Sequence, residues 1–329
     1  MKKLINSVDN LLVESLSGFC TAHADIVILG EEGKFVRRAS LKKGKVALIS
    51  GGGSGHEPLH AGFVGHGMLD AACPGQVFTS PTPDQMLAAS AATDTGAGVL
   101  FIVKNYEGDV MNFEMAKEMS GAGIETVITN DDVAVDNSTY TTGRRGVAGT
   151  MIVEKIVGAA AENGVKLDAL KALGDRVNNA TRSMGVALSS CCVPAAGKPT
   201  FELGEDEMEV GVGIHGEPGR RRVPLKSADA IAQEMVDAIV GDLGAAARGE
   251  ALLLVNGFGG TPLMELYVMY HAAHTLLTRS GVRVVRSLVG NYVTSLEMAG
   301  CSITVSMLDR ELRDLWDARV HTPALRWGV

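Results

Sequence analysis

Apolar residues along this chain recur at two spacings, and the two alternate. Leu4, Val8, Leu11, Leu12, Leu16 and Phe19 fall on one face of a helix. Lys45-Val46-Ala47-Leu48-Ile49 is a short apolar run that stops at Gly51, Gly52 and Gly53. Val99-Leu100-Phe101-Ile102-Val103 is a second such run, and Thr126-Val127-Ile128, closed by Asn130-Asp131-Asp132, is a third. Runs this short and uniformly apolar predict strands buried on both faces, in a sheet covered by helices. Helical spacing fills the intervals over 84–95, 113–120 and 149–162, and again over 167–179. A second series follows, with strands predicted over 185–189, 209–214, 252–255, 282–288 and 302–307, and helices over 228–240 and 263–277. The alternation predicts an α/β fold of two α/β domains, each a sheet covered by helices and largely parallel. The boundary is placed near residue 183, giving domains 1–183 and 184–329, with no Pro/Ser-rich linker and no tandem repeat to mark it.

Composition narrows the function. The 329 residues suffice for two cores, at roughly 150 residues per domain. With 46% hydrophobic and 21% charged residues the chain is not a disordered one. Thirty basic against 38 acidic residues give a net charge of −8, which argues against nucleic acid as a partner. Apolar runs such as Ala251 to Val255 stop far short of the ~20 residues of a bilayer span, so no membrane partner is expected. Met1-Lys2-Lys3 opens like a signal peptide, but Asn6, Asp9 and Asn10 interrupt any apolar core. The five cysteines show no Cys-x-x-Cys spacing, so neither a disulfide framework nor a metal site is expected, and a cytoplasmic location fits. Glycine is the anomaly, 40 of 329 residues, against a usual ~7%. It is used where backbone turns sharply or approaches a ligand.

Three segments could carry chemistry. Ser50-Gly51-Gly52-Gly53-Ser54-Gly55-His56-Glu57-Pro58 directly follows a predicted strand. Such a run can offer backbone N–H groups to an oxygen-rich ligand, and it also suits a tight strand-to-helix turn. It is no Walker A loop, since no Gly-Lys-Ser/Thr closes it, and His56 stands where a dinucleotide fingerprint has its third glycine. Lys104-Asn105-Tyr106-Glu107-Gly108-Asp109 again lies just past a buried strand. There a lysine can polarise an oxygen and a carboxylate can take a hydroxyl proton, although a solvated charged turn reads the same way. The third is Gly211-Val212-Gly213-Ile214-His215-Gly216-Glu217-Pro218-Gly219, whose histidine has little apolar cover from its neighbours. Neutral imidazole there could add to a carbonyl carbon. His60, His66, His271 and His274 have weaker contexts, and Cys191-Cys192 reads as packing without an activating base.

Together these segments resemble the dihydroxyacetone-binding (K) subunit of the dihydroxyacetone kinase family. Also matching are Phe78-Thr79-Ser80-Pro81-Thr82-Pro83, Gly143-Arg144-Arg145-Gly146-Val147-Ala148, Val193-Pro194-Ala195-Ala196-Gly197-Lys198-Pro199 and Val320-His321-Thr322-Pro323-Ala324-Leu325. The resemblance implies that His215 adds to the ketone carbon of dihydroxyacetone to give a hemiaminal. Gly53, Ser54, Gly55, His56, Lys104 and Asp109 would bind the substrate, and His56 and Asp109 would share acid/base duty without sequence deciding which is the base. It further implies a homodimer, no cofactor on this chain, and an L subunit as partner that carries ADP and Mg and is recharged from phosphoenolpyruvate. That the chain stops at Val329, with no phosphate loop elsewhere, leads us to expect this split form over an ATP-dependent single-chain kinase. The alternative is a non-catalytic dihydroxyacetone sensor that binds a transcription regulator.

Overall fold

The computed structural model describes residues 2–121, 123–135, 140–217 and 219–329; Met1 and Pro218 of the motifs above lie outside them. Among the described residues the backbone forms two six-stranded sheets. The first uses β1 (Val27–Leu29), β2 (Val36–Arg38), β3 (Ala47–Ser54), β4 (Ala71–Val77), β5 (Val99–Lys104) and β6 (Ile124–Thr129). Its order is β1-β2-β4-β3-β5-β6, parallel from β4 through β6 and antiparallel at the β1–β2 edge. Five helices accompany it: α1 (Leu11–Ala22), α2 (Pro83–Thr93), α3 (Glu107–Ser120), α4 (Gly149–Glu162) and α5 (Leu167–Asn179). The apolar residues of β3 and β5 are wholly buried, as their composition predicts.

The second sheet holds β7 (Thr181–Ala187), β8 (Glu207–Val210), β9 (Arg221–Pro224), β10 (Gly249–Gly257), β11 (Val282–Gly290) and β12 (Gly300–Leu308) in the order β11-β10-β12-β7-β8-β9. α6 (Ala228–Leu243) and α7 (Leu263–Arg279) pack on it. The expected boundary at residue 183 falls inside β7. Only β10 and β11 run parallel here, so the expectation of largely parallel sheets holds for the first sheet and is corrected for the second. Buried parallel and buried antiparallel strands share one apolar signature, and the signature carries no direction.

Two element boundaries also differ. The helix expected from Leu4 begins at Leu11, because Ser7 Oγ accepts the Asn10 amide at 3.1 Å and forms a turn instead. The helix expected from Phe113 begins at Glu107, so Asp109 sits in a first helical turn rather than in a loop. Carboxylates suit that position, where free N–H groups face the helix start.

Between the sheets lies α4, buried at every position from Gly149 to Ala161, including Glu154 and Lys155. It touches β3, β5 and β6 on one side and β7 and β12 on the other. After α8 (Arg310–Asp317) the chain returns to the first layer as a hairpin, β13 (Val320–His321) and β14 (Arg326–Trp327). There the His321 N–H donates to His66 O and the Ala324 N–H to Gly62 O, both at 2.9 Å. The Lys155 ammonium donates to Leu315 O at 2.9 Å, tying α4 to α8.

Close packing makes one helix glycine obligatory. A Cβ on Gly158 would lie 2.5 Å from Gly67 O and from Met68 Cα. Replacing an exposed helical glycine with alanine stabilises a helix by about 1 kcal/mol. Here the sign should invert, Gly158→Ala costing about 1–3 kcal/mol as overpacking, read as a lower urea midpoint. An unchanged or higher midpoint would show that α4 is not clamped to residues 67–68.

Candidate functional site

The first sheet splits at β3. Pairing with β5 ends at Ser50 opposite Ile102, whereas pairing with β4 continues to Ser54 opposite Val77. A parallel sheet whose strand order reverses opens a crevice at the C-terminal ends of its strands. Gly51, Gly52 and Gly53 are part of strand β3, so the tight-turn reading that the sequence also allowed holds only beyond Ser54. The missing glycine side chains let neighbours close on the strand. A Cβ on Gly52 would overlap the Lys104 ammonium, and one on Gly53 would stand 2.6 Å from the Thr79 amide nitrogen.

The turn after β3 presents His56. Its Nδ1 donates to Thr294 O at 2.8 Å, so in the neutral ring Nε2 carries the lone pair. Burial, with His215 and Lys104 beside it, holds His56 well below the usual imidazole value. The ring stacks on Phe78 with centroids 5.0 Å apart. Backbone bonds from Thr294 N to His56 O and from Leu296 N to Gly55 O clamp this turn to the segment between β11 and β12. Ser54 Oγ is turned inward to Gly75 O at 2.7 Å, and the Gly55 N–H is taken by the Glu57 carboxylate.

β5 ends in Lys104, and α3 brings Asp109 beside it. Lys104 Nζ lies 3.6 Å from Asp109 Oδ2, 3.0 Å from His60 Nε2 and 3.4 Å from Gly51 O. Asp109 lines a cleft of about 590 Å³ together with Gly53, Phe78, Ser80, Tyr106 and His215, while Lys104 stands one layer behind.

His215 comes from the opposite layer, on the loop after β8. Its ring meets His56, Phe78 and Tyr106 edge-on, with centroids 4.7, 5.3 and 4.6 Å away. Glu217 shapes that loop. Its carboxylate accepts the His215 amide at 2.8 Å and the Tyr106 hydroxyl at 3.3 Å, and lies 3.9 Å from His215 Nδ1. Behind it Arg145, wholly buried, bonds Asp132 Oδ2 through Nε at 2.8 Å and Gly211 O at 2.6 Å, and lies 3.7 Å from Glu217. Burial alone would raise the Glu217 carboxyl, but His215 and the charge of Arg145 beside it bring it down to about 2. Among the described residues, His56 Nε2, Asp109 Oδ1 and His215 Nδ1 are buried polar atoms with no hydrogen-bond partner. Asp109 and His215 line the cleft, and the His56 ring packs edge-on against that of His215 with 4.7 Å between centroids.

The structure thus brings together Gly53, His56, Lys104, Asp109 and His215, from segments far apart in sequence. Sequence reasoning missed the acceptor Thr294 O, because a backbone carbonyl leaves no mark on residue type. It also gave no role to Arg145, Asp132 or Glu217, and set His60 among the weaker histidines. Cys191 is buried against Ser295 and Thr200, and burial raises its thiol. Among the described residues no three His, Cys, Asp or Glu side chains are grouped to hold a metal ion, and no helix is long and apolar enough to cross a membrane.

A family model described as the Dak1 domain matches residues 17–324. A Listeria innocua protein named PTS-dependent dihydroxyacetone kinase 1, dihydroxyacetone-binding subunit DhaK, is 52% identical over 94% of this chain and 95% of its own. The Escherichia coli PEP-dependent dihydroxyacetone kinase subunit DhaK is 49% identical over the whole of both chains. Among solved structures, the native dihydroxyacetone kinase of C. freundii superposes with a TM-score of 0.90 at 33% identity, covering 99% of this chain and 60% of that one. The dihydroxyacetone kinase operon co-activator Dha-DhaQ superposes at 0.89 with 34% identity, covering 94% and 97%. A match over almost the whole length makes this chain a member of the Dak1 family, alongside the dihydroxyacetone-binding subunits of dihydroxyacetone kinases.

Proposed function

We propose that this chain is the dihydroxyacetone-binding subunit of a phosphoenolpyruvate-dependent dihydroxyacetone kinase, a phosphotransferase, with His215 as a covalent anchor. The observation that carries the reading is the meeting, at one cleft, of the His215 imidazole from one layer with the Asp109 carboxylate from the other, with a second imidazole, His56, packed against His215. The buried Nδ1 of His215 faces the Glu217 carboxylate, which favours the proton on Nδ1 and the lone pair on Nε2. That lone pair forms the bond to the ketone carbon while the carbonyl π pair moves onto oxygen. Overall one proton passes from the ring to that oxygen, giving a neutral hemiaminal. Glycerol, similar in size, has no electrophilic carbon and cannot make this bond.

Anchoring turns an encounter into a positioned reaction. Asp109 would then take the proton of the terminal hydroxyl as its oxygen attacks the terminal phosphorus of the partner's recharged nucleotide. The bond from that phosphorus to the ADP oxygen breaks, ADP being the leaving group. His56, with its lone pair at Nε2, accepts a hydrogen bond from the hemiaminal hydroxyl. The phosphoryl group would come from an L subunit that carries ADP and Mg and is recharged from phosphoenolpyruvate, this chain holding no nucleotide itself. We extend the reading to a cytoplasmic homodimer divided near residue 183. The likeness to a named co-activator supports a second reading, a dihydroxyacetone sensor; the presence of both His56 and Asp109 favours the kinase.

Reconstitution separates these. Dihydroxyacetone phosphate should form with an L-type partner, its ADP and its phosphoryl donor, and not with ATP alone. Turnover with ATP alone would sink the reading, and failure with every partner would favour the sensor. Intact-protein mass spectrometry should show one triose added to the native chain and none to His215→Ala, since hydrogen bonds exchanged against water hold so small a polar ligand weakly. An adduct that survives in His215→Ala would move the anchor elsewhere. Asp109→Asn should keep the adduct and lose ~10²–10⁴-fold in kcat, the usual worth of a general base.

A further inference from the structure

Behind the cleft, four buried side chains from separate segments stand in one line. Glu154 of α4 brings Oε1 to 2.6 Å from His60 Nδ1, and His60 Nε2 lies 3.0 Å from Lys104 Nζ. Lys104 in turn reaches Asp109 Oδ2 at 3.6 Å. None of the four side chains is more than 4% exposed.

The direction of every bond follows from one end. An ammonium only donates, so His60 Nε2 accepts from Lys104. The ring proton then belongs to Nδ1, which must donate. Glu154 Oε1 receives it, and so does Ser50 Oγ at 2.9 Å, whose own proton goes to Ile102 O at 2.6 Å. Burial pushes the Glu154 carboxyl up to about 8, against the pull of the Lys104 charge. Its acceptor role survives either state, since a proton on Oε2 leaves Oε1 free to receive. The opposite tautomer would set Nε2–H against the Lys104 ammonium inside a site without water's screening. Gly52, lacking a Cβ, leaves the space in which the ammonium sits.

We propose that Glu154 and His60 are positioning residues which, through Lys104, hold Asp109 by Oδ2 and leave Oδ1 for the substrate hydroxyl. Glu154 sits 45 residues beyond Asp109 in the sequence, on a helix that contributes no residue to the cleft lining. The proposal rests on reading Asp109 as the base, so its test has one arm independent of activity.

Two-bond proton–nitrogen correlation on histidine-labelled native protein should show His60 with its proton on Nδ1; a proton on Nε2 would overturn the line of bonds, whatever the chain catalyses. In reconstituted kinase, His60→Phe removes the acceptor while keeping a planar ring. It should cut kcat by about 10²-fold, the cost of a small misplacement of a reacting group, and leave the triose adduct on His215 intact. His60→Gln can set a side-chain oxygen near the Nε2 position and should recover most of the loss. An unchanged kcat in folded His60→Phe, or equal losses in both variants, would overturn the positioning role. Should His60→Phe not fold, His60→Gln and the tautomer still decide it, a defective His60→Gln with normal melting counting against. No turnover by the native chain with any partner would defeat the kinase reading alone, and the tautomer would still judge the line of bonds.

Discussion

The distance between the anchor and the base is fixed by one buried guanidinium. Arg145 follows the first sheet in sequence, yet it bonds Asp132 on one side and the Gly211 carbonyl on the other, with Glu217 at 3.7 Å. Through it the loop that carries His215 is tied to the layer that carries His56 and Asp109. A cation so buried persists only because two carboxylates and a carbonyl surround it. Removing one partner leaves uncompensated charge in the interior, a loss on the order of 3–5 kcal/mol. The same network holds Glu217 as a carboxylate, and so sets which side of the His215 ring faces charge. Rigidity here serves chemistry as much as stability.

How much of this was legible beforehand depends on what kind of group carries each part. β3, β5 and β6 announce themselves as apolar runs. β4 does not, because Pro74 and Gly75 interrupt it, and Gln76 follows. Strand direction in the second sheet leaves no trace in the residues at all. His215, His56 and Asp109 stand out because polar groups beside glycine, past a buried strand, need a reason. Thr294 does not, since its contribution is a carbonyl oxygen. One signal was readable and went unused: Glu154-Lys155 in the middle of a helix apolar on all sides. Charges there must be paired or hydrogen-bonded, which is how both are found.

The His56 turn is held under backbone strain as well as by bonds. Phe78 has φ 55° and Leu296 φ 53°, left-handed values that bulky side chains disfavour. Each such residue costs on the order of 1–3 kcal/mol, sustained by its surroundings. Phe78 N donates to Ser54 O and Leu296 N to Gly55 O, one on each side of the same turn. The ring of Phe78 is thereby stacked on His56.

The hairpin of β13 and β14 lies at the far end of the sequence, yet it completes the first layer, where its backbone enters the space beside Gly62, Gly65 and Gly67. During synthesis the first sheet would emerge from the ribosome some two hundred residues before the segment that covers it. Until residues 320–327 arrive, the backbone of residues 62–67 lacks partners that a finished fold supplies. Domains generally fold from the N-terminal side as they are made, and exposed apolar surface in the interval invites aggregation. For this chain such early folding would stop at an unfinished first layer, and any shortened product released before that hairpin would be a substrate for chaperones and proteases rather than a smaller working protein.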